Sequence, residues 1–162
     1  MIAVQVGQTG NQLGFDMYDS FYNHLRYSDH SECMSSYFRE VTSGVSKRWI
    51  SRSVWIDTNP TTLDSCIEKS RQSRTWCLDE RCTESGHVEI ASNWAKGYQE
   101  FTGSFQSNSL DHIRRELERV DVHTTLMVIH SVGGGSGSGI GTHITEVLVD
   151  EVGGHSSLLL HY

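Results

Sequence analysis

Residues 125–141 read TLMVIHSVGGGSGSGIG, and their order decides the fold. The apolar run at 125–130 predicts a buried strand, and a periodic segment beginning near Ile140 predicts a helix. Between them, six of the nine residues 133–141 are glycine. Glycine costs the most backbone entropy on folding and brings no side chain to a core, so the run makes no sense as packing. It reads as a place where a bulky anion approaches the main chain. Peptide N–H groups then point at phosphate oxygens, and the helix N-terminus adds partial positive charge. Ser136 and Ser138 add hydroxyl donors. The stretch predicts a phosphate cradle, and so a nucleotide. A flexible Gly/Ser linker is the plain alternative; a strand and an amphipathic helix clamped to its two ends argue against it.

Other glycine-rich motifs fit poorly. A P-loop requires Lys and then Ser or Thr after its last glycine, whereas Gly139 is followed by Ile140 and Gly141. A dinucleotide fingerprint follows the first strand, whereas this run begins at residue 133.

Outward from the run, strands alternate with helices. Residues 2–6 read as a short buried strand, and residues 7–12 as a glycine-punctuated turn. A helix follows with Leu13, Met17, Phe21 and Leu25 on one face. Residues 27–48 are polar and weakly periodic, predicting a long surface excursion. Val54, Trp55 and Ile56 form a second strand ended by Asp57. Asn59 and Pro60 then read as an N-cap and first helical residue, with Leu63, Cys66 and Ile67 on the buried face. Residues 72–92 look irregular. Leu110, Ile113, Leu117 and Val120 mark a charged amphipathic helix capped near Ser107 or Asn108. Ile144, Val147, Leu148 and Val152 mark the helix after the glycines, and Leu158, Leu159 and Leu160 the start of another strand. This alternation predicts one α/β domain, a parallel sheet with helices on both faces, whose ligands bind at the C-terminal ends of the strands.

Composition narrows the partners. The net charge of −7 offers no broad attraction to nucleic acid or an anionic membrane, so neither is expected. A phosphate would be held by amides, helix dipoles and a divalent cation. The four cysteines, Cys33, Cys66, Cys77 and Cys82, show no CxxC spacing and read as free thiols. Nine histidines are spread along the chain without HxH or HExxH. With no basic, apolar leader at the N-terminus and no run of membrane-spanning length, the expectation is a soluble cytoplasmic protein.

Four segments form a constellation: residues 7–12, 57–60, 93–97 and 133–139. Gly7 and Gly10 let the first turn pass close to phosphates, while Gln8 and Asn11 offer amide groups. Asp57, at a strand end, suits a phosphate-bound Mg²⁺; a turn or capping aspartate is its ordinary reading. Trp94 taken alone reads as core, and Lys96 as solvated.

These segments resemble the tubulin superfamily. GQTGNQLG at 7–14 is similar to the family's GQCGNQIG, SNWAKGY at 92–98 to NNWAKGH, and HSVGGGSGSG at 130–139 to the signature HSxGGGTGSG. The resemblance covers essentially the whole chain but only the N-terminal part of a full tubulin. It implies a GTP-binding domain of Rossmann-like topology, with the intermediate and C-terminal domains absent. By matching position, Gly7, Gln8 and Thr9 would lie beside the phosphates and Gln12 near the base or ribose. Asp57 would serve Mg²⁺, while Asn93, Ala95 and Gly97 would belong to the γ-phosphate loop. Ser131, Gly133, Gly134, Gly135, Ser136 and Gly137 would wrap the α- and β-phosphates of GTP or GDP.

The departures from the pattern are informative. Thr9 replaces a cysteine, Ser136 a threonine, and Asn59 stands where a glutamate is usual; the approach to Ser92 lacks the family's glycines. Such drift resembles the delta, epsilon and zeta branches, and implies tubulin-family or microtubule and centriole partners at a centriole or basal body. The hydrolytic acidic loop of the family lies beyond Tyr162, so the chain alone is expected to lack GTPase activity. Two other readings stand beside this one: a tubulin-fold docking or scaffold protein without nucleotide, and an enzyme using the cradle for a flavin or dinucleotide.

Overall fold

The computed structural model describes residues 1–27, 31–43, 46–73, 75–120 and 124–152. Strand β1 (Ile2–Val6) runs directly into helix α1 (Gly7–Leu25). Helix α2 (Ser31–Tyr37) and strands β2 (Phe38–Ser43) and β3 (Ser46–Ser51) precede β4 (Ser53–Asp57) and α3 (Pro60–Gln72). Then come β5 (Trp76–Cys77), a 3-10 turn (Glu80–Cys82) and β6 (Thr83–Ser85). Helices α4 (Trp94–Glu100) and α5 (Gly103–Glu118), strand β7 (Leu126–His130), a π turn (Ser136–Ile140) and α6 (Gly141–Val152) complete the order.

Strands β6, β4, β1 and β7 lie side by side in that order, and every pair is parallel. Alternation along the strands sorts side chains onto two faces. Val4, Ile56 and Val128 pack with Ile113, Ile144 and Leu148 from α5 and α6. Ala3, Trp55 and Ile129 pack with Tyr18, Leu63 and Cys66 from α1 and α3. The expected α/β architecture, a parallel sheet between two helical layers, is present.

Several local expectations are corrected. No separate turn precedes α1, because residues 7–12 are its first helical turns. Met17, Phe21 and Leu25 pack against the core as expected, but Leu13 is 48% exposed, and the fully buried positions are Gly7, Gly10, Asn11, Gly14 and Tyr18. The N-terminal half of α1 lies so close to the sheet that only small residues fit. A Cβ on Gly10 would overlap the carbonyl of Ile129, and one on Gly14 the buried side chain of Gln5.

The stretch 27–48 is no mere surface excursion. It contains α2 and the antiparallel β2–β3 hairpin, with Met34 and Phe38 buried in the core. Residues 72–92 likewise include β5, which pairs with β3, and β6, the edge strand beside β4. Helix α5 starts at Gly103, with Thr102 rather than Ser107 or Asn108 at its N-cap. Its start is hidden in sequence because Phe105 is its sole apolar residue before Leu110. The strand expected at Leu158–Leu160 and the side chain of Val152 lie outside the described residues.

Candidate functional site

All strands of the main sheet point one way, so β6, β4, β1 and β7 deliver their following segments to a single edge. After β1 comes Gly7, held at φ +73°, where an added Cβ would lie 2.6 Å from the amide nitrogen of Gly137. After β4 comes Thr58, whose hydroxyl shares a 2.6 Å hydrogen bond with that of Ser136. Gly97 of α4 lies against the carbonyl of Gly135, and Asn93 N and the Ala91 carbonyl also border Gly135. The four segments singled out in the sequence therefore meet around the glycine run.

The six glycines divide into two kinds. Gly133 and Gly134 are exposed and have nothing within 4 Å of a would-be Cβ; Gly134 also requires φ +85°. The other four are packing positions after all. Gly135 abuts Ile90 and Ala91, Gly137 abuts Ser131, Gly139 abuts Trp94 and Tyr98, and Gly141 abuts the His130 ring. They let α1 and α4 approach the π turn backbone to backbone. That turn is itself a rare geometry concentrated at functional sites.

The hydroxyls divide similarly. Ser138 is buried and donates to the Gly134 carbonyl at 2.6 Å, bracing the loop rather than facing a ligand. Ser131 donates to the Gly133 carbonyl at 2.8 Å. Ser136 keeps hydrogen-bonding capacity beyond its single bond to Thr58.

Gln8, Thr9 and Gln12 stand exposed on the first turns of α1. The helix has no side-chain N-cap bond and no acidic residue in its first turn, so its opening amides suit an anion. Asn93 caps α4, accepting from the amide of Lys96 at 3.0 Å, and Ala95 is exposed one residue past Trp94. Asn59 caps α3 in the same way, accepting from Thr61 at 2.9 Å, as its sequence predicts. Trp94 is not core: it is 47% exposed and stacks on Tyr98, which stacks on His143.

Asp57 is the acidic group of the edge. It is 2% exposed, and burial pushes its carboxyl above the usual carboxylate range, opposed by hydrogen bonds that include the amide of Asn59 at 3.3 Å. Its Oδ2 has no partner, nor has Oδ1 of Asn11, whose Nδ2 donates to the Ile56 carbonyl at 3.0 Å. Two buried acceptors thus lack donors beside an anion-ready loop, a combination that suits a hydrated divalent cation. Thr58 was not singled out from sequence: a threonine after an aspartate carries no signal until Ser136 is folded against it.

The Tubulin/FtsZ family GTPase domain matches residues 1–158. The chain belongs to the Tubulin/FtsZ family. The tubulin delta chain of Macaca fascicularis is 30% identical over 162 residues, covering 93% of this chain and 35% of the relative. The tubulin epsilon chain of Homo sapiens is 30% identical over 165 residues, covering 93% and 34%. The tubulin beta-1 chain of Mus musculus is 29% identical, with the same coverage. The chain thus spans about a third of the length of these tubulin relatives. The family resemblance drawn from the loop motifs stands, as does the α/β fold it implied. No helix among the described residues is long and apolar enough to cross a membrane.

Proposed function

We propose that this chain is a guanine-nucleotide-binding domain of a divergent tubulin, a structural component of microtubule-related assemblies at the centriole or basal body. The observation that carries the reading is the meeting of the segments after β1, β4 and β7 with α4 around Gly135–Gly139, next to the exposed Gly133 and Gly134, where no described residue lies within 4 Å of a would-be Cβ. Opening amides of α1 and of the π turn would receive the phosphates, with Gln8, Thr9 and the hydroxyl of Ser136 beside them. Mg²⁺ would be held by Asp57, with Asn11 contributing its free oxygen directly or through water. It would neutralise phosphate charge in a protein that carries −7 overall. Gln12, Asn93, Ala95 and Gly97 complete the surround. The likeness to delta and epsilon tubulins supports tubulin-family partners.

Titration of the folded chain with fluorescently labelled GTP or GDP and Mg²⁺ tests this. Saturable binding is expected below millimolar nucleotide, and its absence defeats the reading. Gly133→Val is the sharpest probe. It fills open space without touching backbone, so it should weaken binding at least about tenfold while leaving stability within about 0.5 kcal/mol. Gly135 is a poorer choice, since any side chain there strikes Ile90 and Ala91. Capture of αβ-tubulin without nucleotide dependence would favour the scaffold alternative instead.

A further inference from the structure

We infer that Thr58 is a positioning residue for the nucleotide: its hydroxyl donates to Ser136 and so turns the Ser136 proton towards a bound phosphate oxygen. The inference rests on the proposed guanine-nucleotide reading and adds a residue that acts through another at the same edge.

The serine hydroxyls of this loop differ in what their protons do. Ser131 and Ser138 donate theirs to the carbonyls of Gly133 and Gly134. Among the described residues Ser136 has one hydrogen-bond partner, Thr58, with 2.6 Å between the two hydroxyl oxygens. Either oxygen can donate, so one proton fills the bond and the other is left over. Burial decides which. Thr58 is 5% exposed, whereas Ser136 is half-buried and follows the exposed Gly133 and Gly134 by two to three residues. A proton left over on Thr58 would be largely shut off from water and without an acceptor, an uncompensated desolvation. On Ser136 the same proton reaches water or an anion. Thr58 therefore donates and Ser136 accepts, and a hydroxyl that accepts one bond donates the next more strongly.

Thr58 is itself held in place. A Cβ added to Gly86 would lie 3.3 Å from both Cα and Cγ2 of Thr58, and the Gly86 amide donates to the Asp57 carbonyl at 2.8 Å. Threonine is stiff at χ1, so packing against Cγ2 also fixes Oγ1. The hydroxyl pair ties the end of β4 to the start of the π turn across 78 positions of sequence. It orients a donor that the turn by itself leaves free to rotate.

Binding of fluorescently labelled GDP, with excess Mg²⁺, to the 162-residue chain tests this through a double-mutant cycle. Thr58→Val keeps the side-chain shape and removes the donor; it should weaken binding about fivefold, the loss of one hydrogen bond. Thr58→Ser returns the hydroxyl and should bind within about twofold of the wild type. In a Ser136→Ala background, Thr58→Val should change affinity by less than about twofold, because the group it orients is gone. Thr58→Ala replaces the valine variant where circular dichroism shows that one unfolded. Unchanged binding without the Thr58 hydroxyl, no recovery with serine, or an equal loss with and without the Ser136 hydroxyl overturns the positioning role while leaving nucleotide binding intact. Failure of the wild type to bind overturns the underlying reading and this inference together.

Discussion

Two buried acidic sites in this molecule are displaced in opposite directions. Asp57, at the end of β4, is buried with one oxygen unpartnered, and its carboxyl is held above the ordinary range. Asp79, after β5, is also buried, and burial alone would raise it. The hydrogen bonds from Arg81 and the charge of Arg39 outweigh that and hold it below the ordinary range. Beside it, Glu116 of α5 is fully buried and paired with Arg119, with Arg39 at 3.8 Å and the Cys82 thiol at 3.4 Å. Burial next to these acids pushes the Cys82 thiol up to about 12, so it is inert. Arginines offset the charge of the Asp79 cluster, although Glu116 Oε2 and Arg39 Nε there make no hydrogen bond, and the cluster joins β2, the 3-10 turn and α5. Among the described residues Asp57 has no such ion pair, and its Oδ2 and the Oδ1 of Asn11 are buried without a hydrogen-bond partner at the C-terminal end of the sheet. Buried charge that the chain neutralises is structural, and buried charge that it leaves open calls for something from outside.

The largest expected effect comes from breaking the Asp79 cluster. Arg39→Met strips a guanidinium from Asp79 and Glu116, and should lower stability by about 3 kcal/mol in urea unfolding. Nucleotide affinity, measured on the protein that remains folded, should change little. Next, Gly139→Ala forces a Cβ into the backbone of Trp94 and Tyr98 and should cost about 2 kcal/mol. Gly133→Ala, in open space, should stay within about 0.5 kcal/mol. Equal losses at the two glycines would erase the division between packing positions and positions in open space.

Asp57→Asn should change ligand-free stability by about 1 kcal/mol or less in the stabilising direction, while weakening Mg²⁺-dependent nucleotide binding. The pH dependence carries the sign. Asp57 holds its proton more tightly folded than unfolded, so the ligand-free protein loses stability as pH rises from the usual carboxylate value through the raised folded one. Asp79 does the reverse: its contribution is present above the usual carboxylate value and fades as pH falls through the lowered one. Urea midpoints between about pH 3 and pH 7, for the wild type and Asp57→Asn, separate the two, and an unchanged slope in the variant contradicts this account of Asp57. Smallest of all, Arg71→Ala removes an exposed ion pair with Glu80 and should not shift the midpoint measurably.

Much of the converging edge was legible from residue order, since its parts are short motifs acting through the main chain. Gly7, the Asn59 cap with Pro60 and the glycine run each announce a local backbone requirement, whereas the Asn93 cap emerged only in the structure. Strands β1, β4 and β7 were equally plain, being apolar and buried on both faces. The hairpin β2–β3 and edge strand β6 were not. Their polar sequences form ladders through backbone hydrogen bonds and the packing of a few anchors such as Phe38, which no period reveals.

By itself, the sequence determined the α/β class, the family and the identity of the four converging segments, because backbone chemistry at glycine, proline and cap positions is local. Tertiary structure alone decided which glycines face open space and which serve packing. It also joined Thr58 to Ser136, left Asp57 without an ion pair among the described residues and gathered Arg39, Asp79 and Glu116 into one cluster. The Thr58–Ser136 and Cys82–Glu116 contacts join residues 78 and 34 positions apart, where no local rule reaches and only the packed sheet sets the distance.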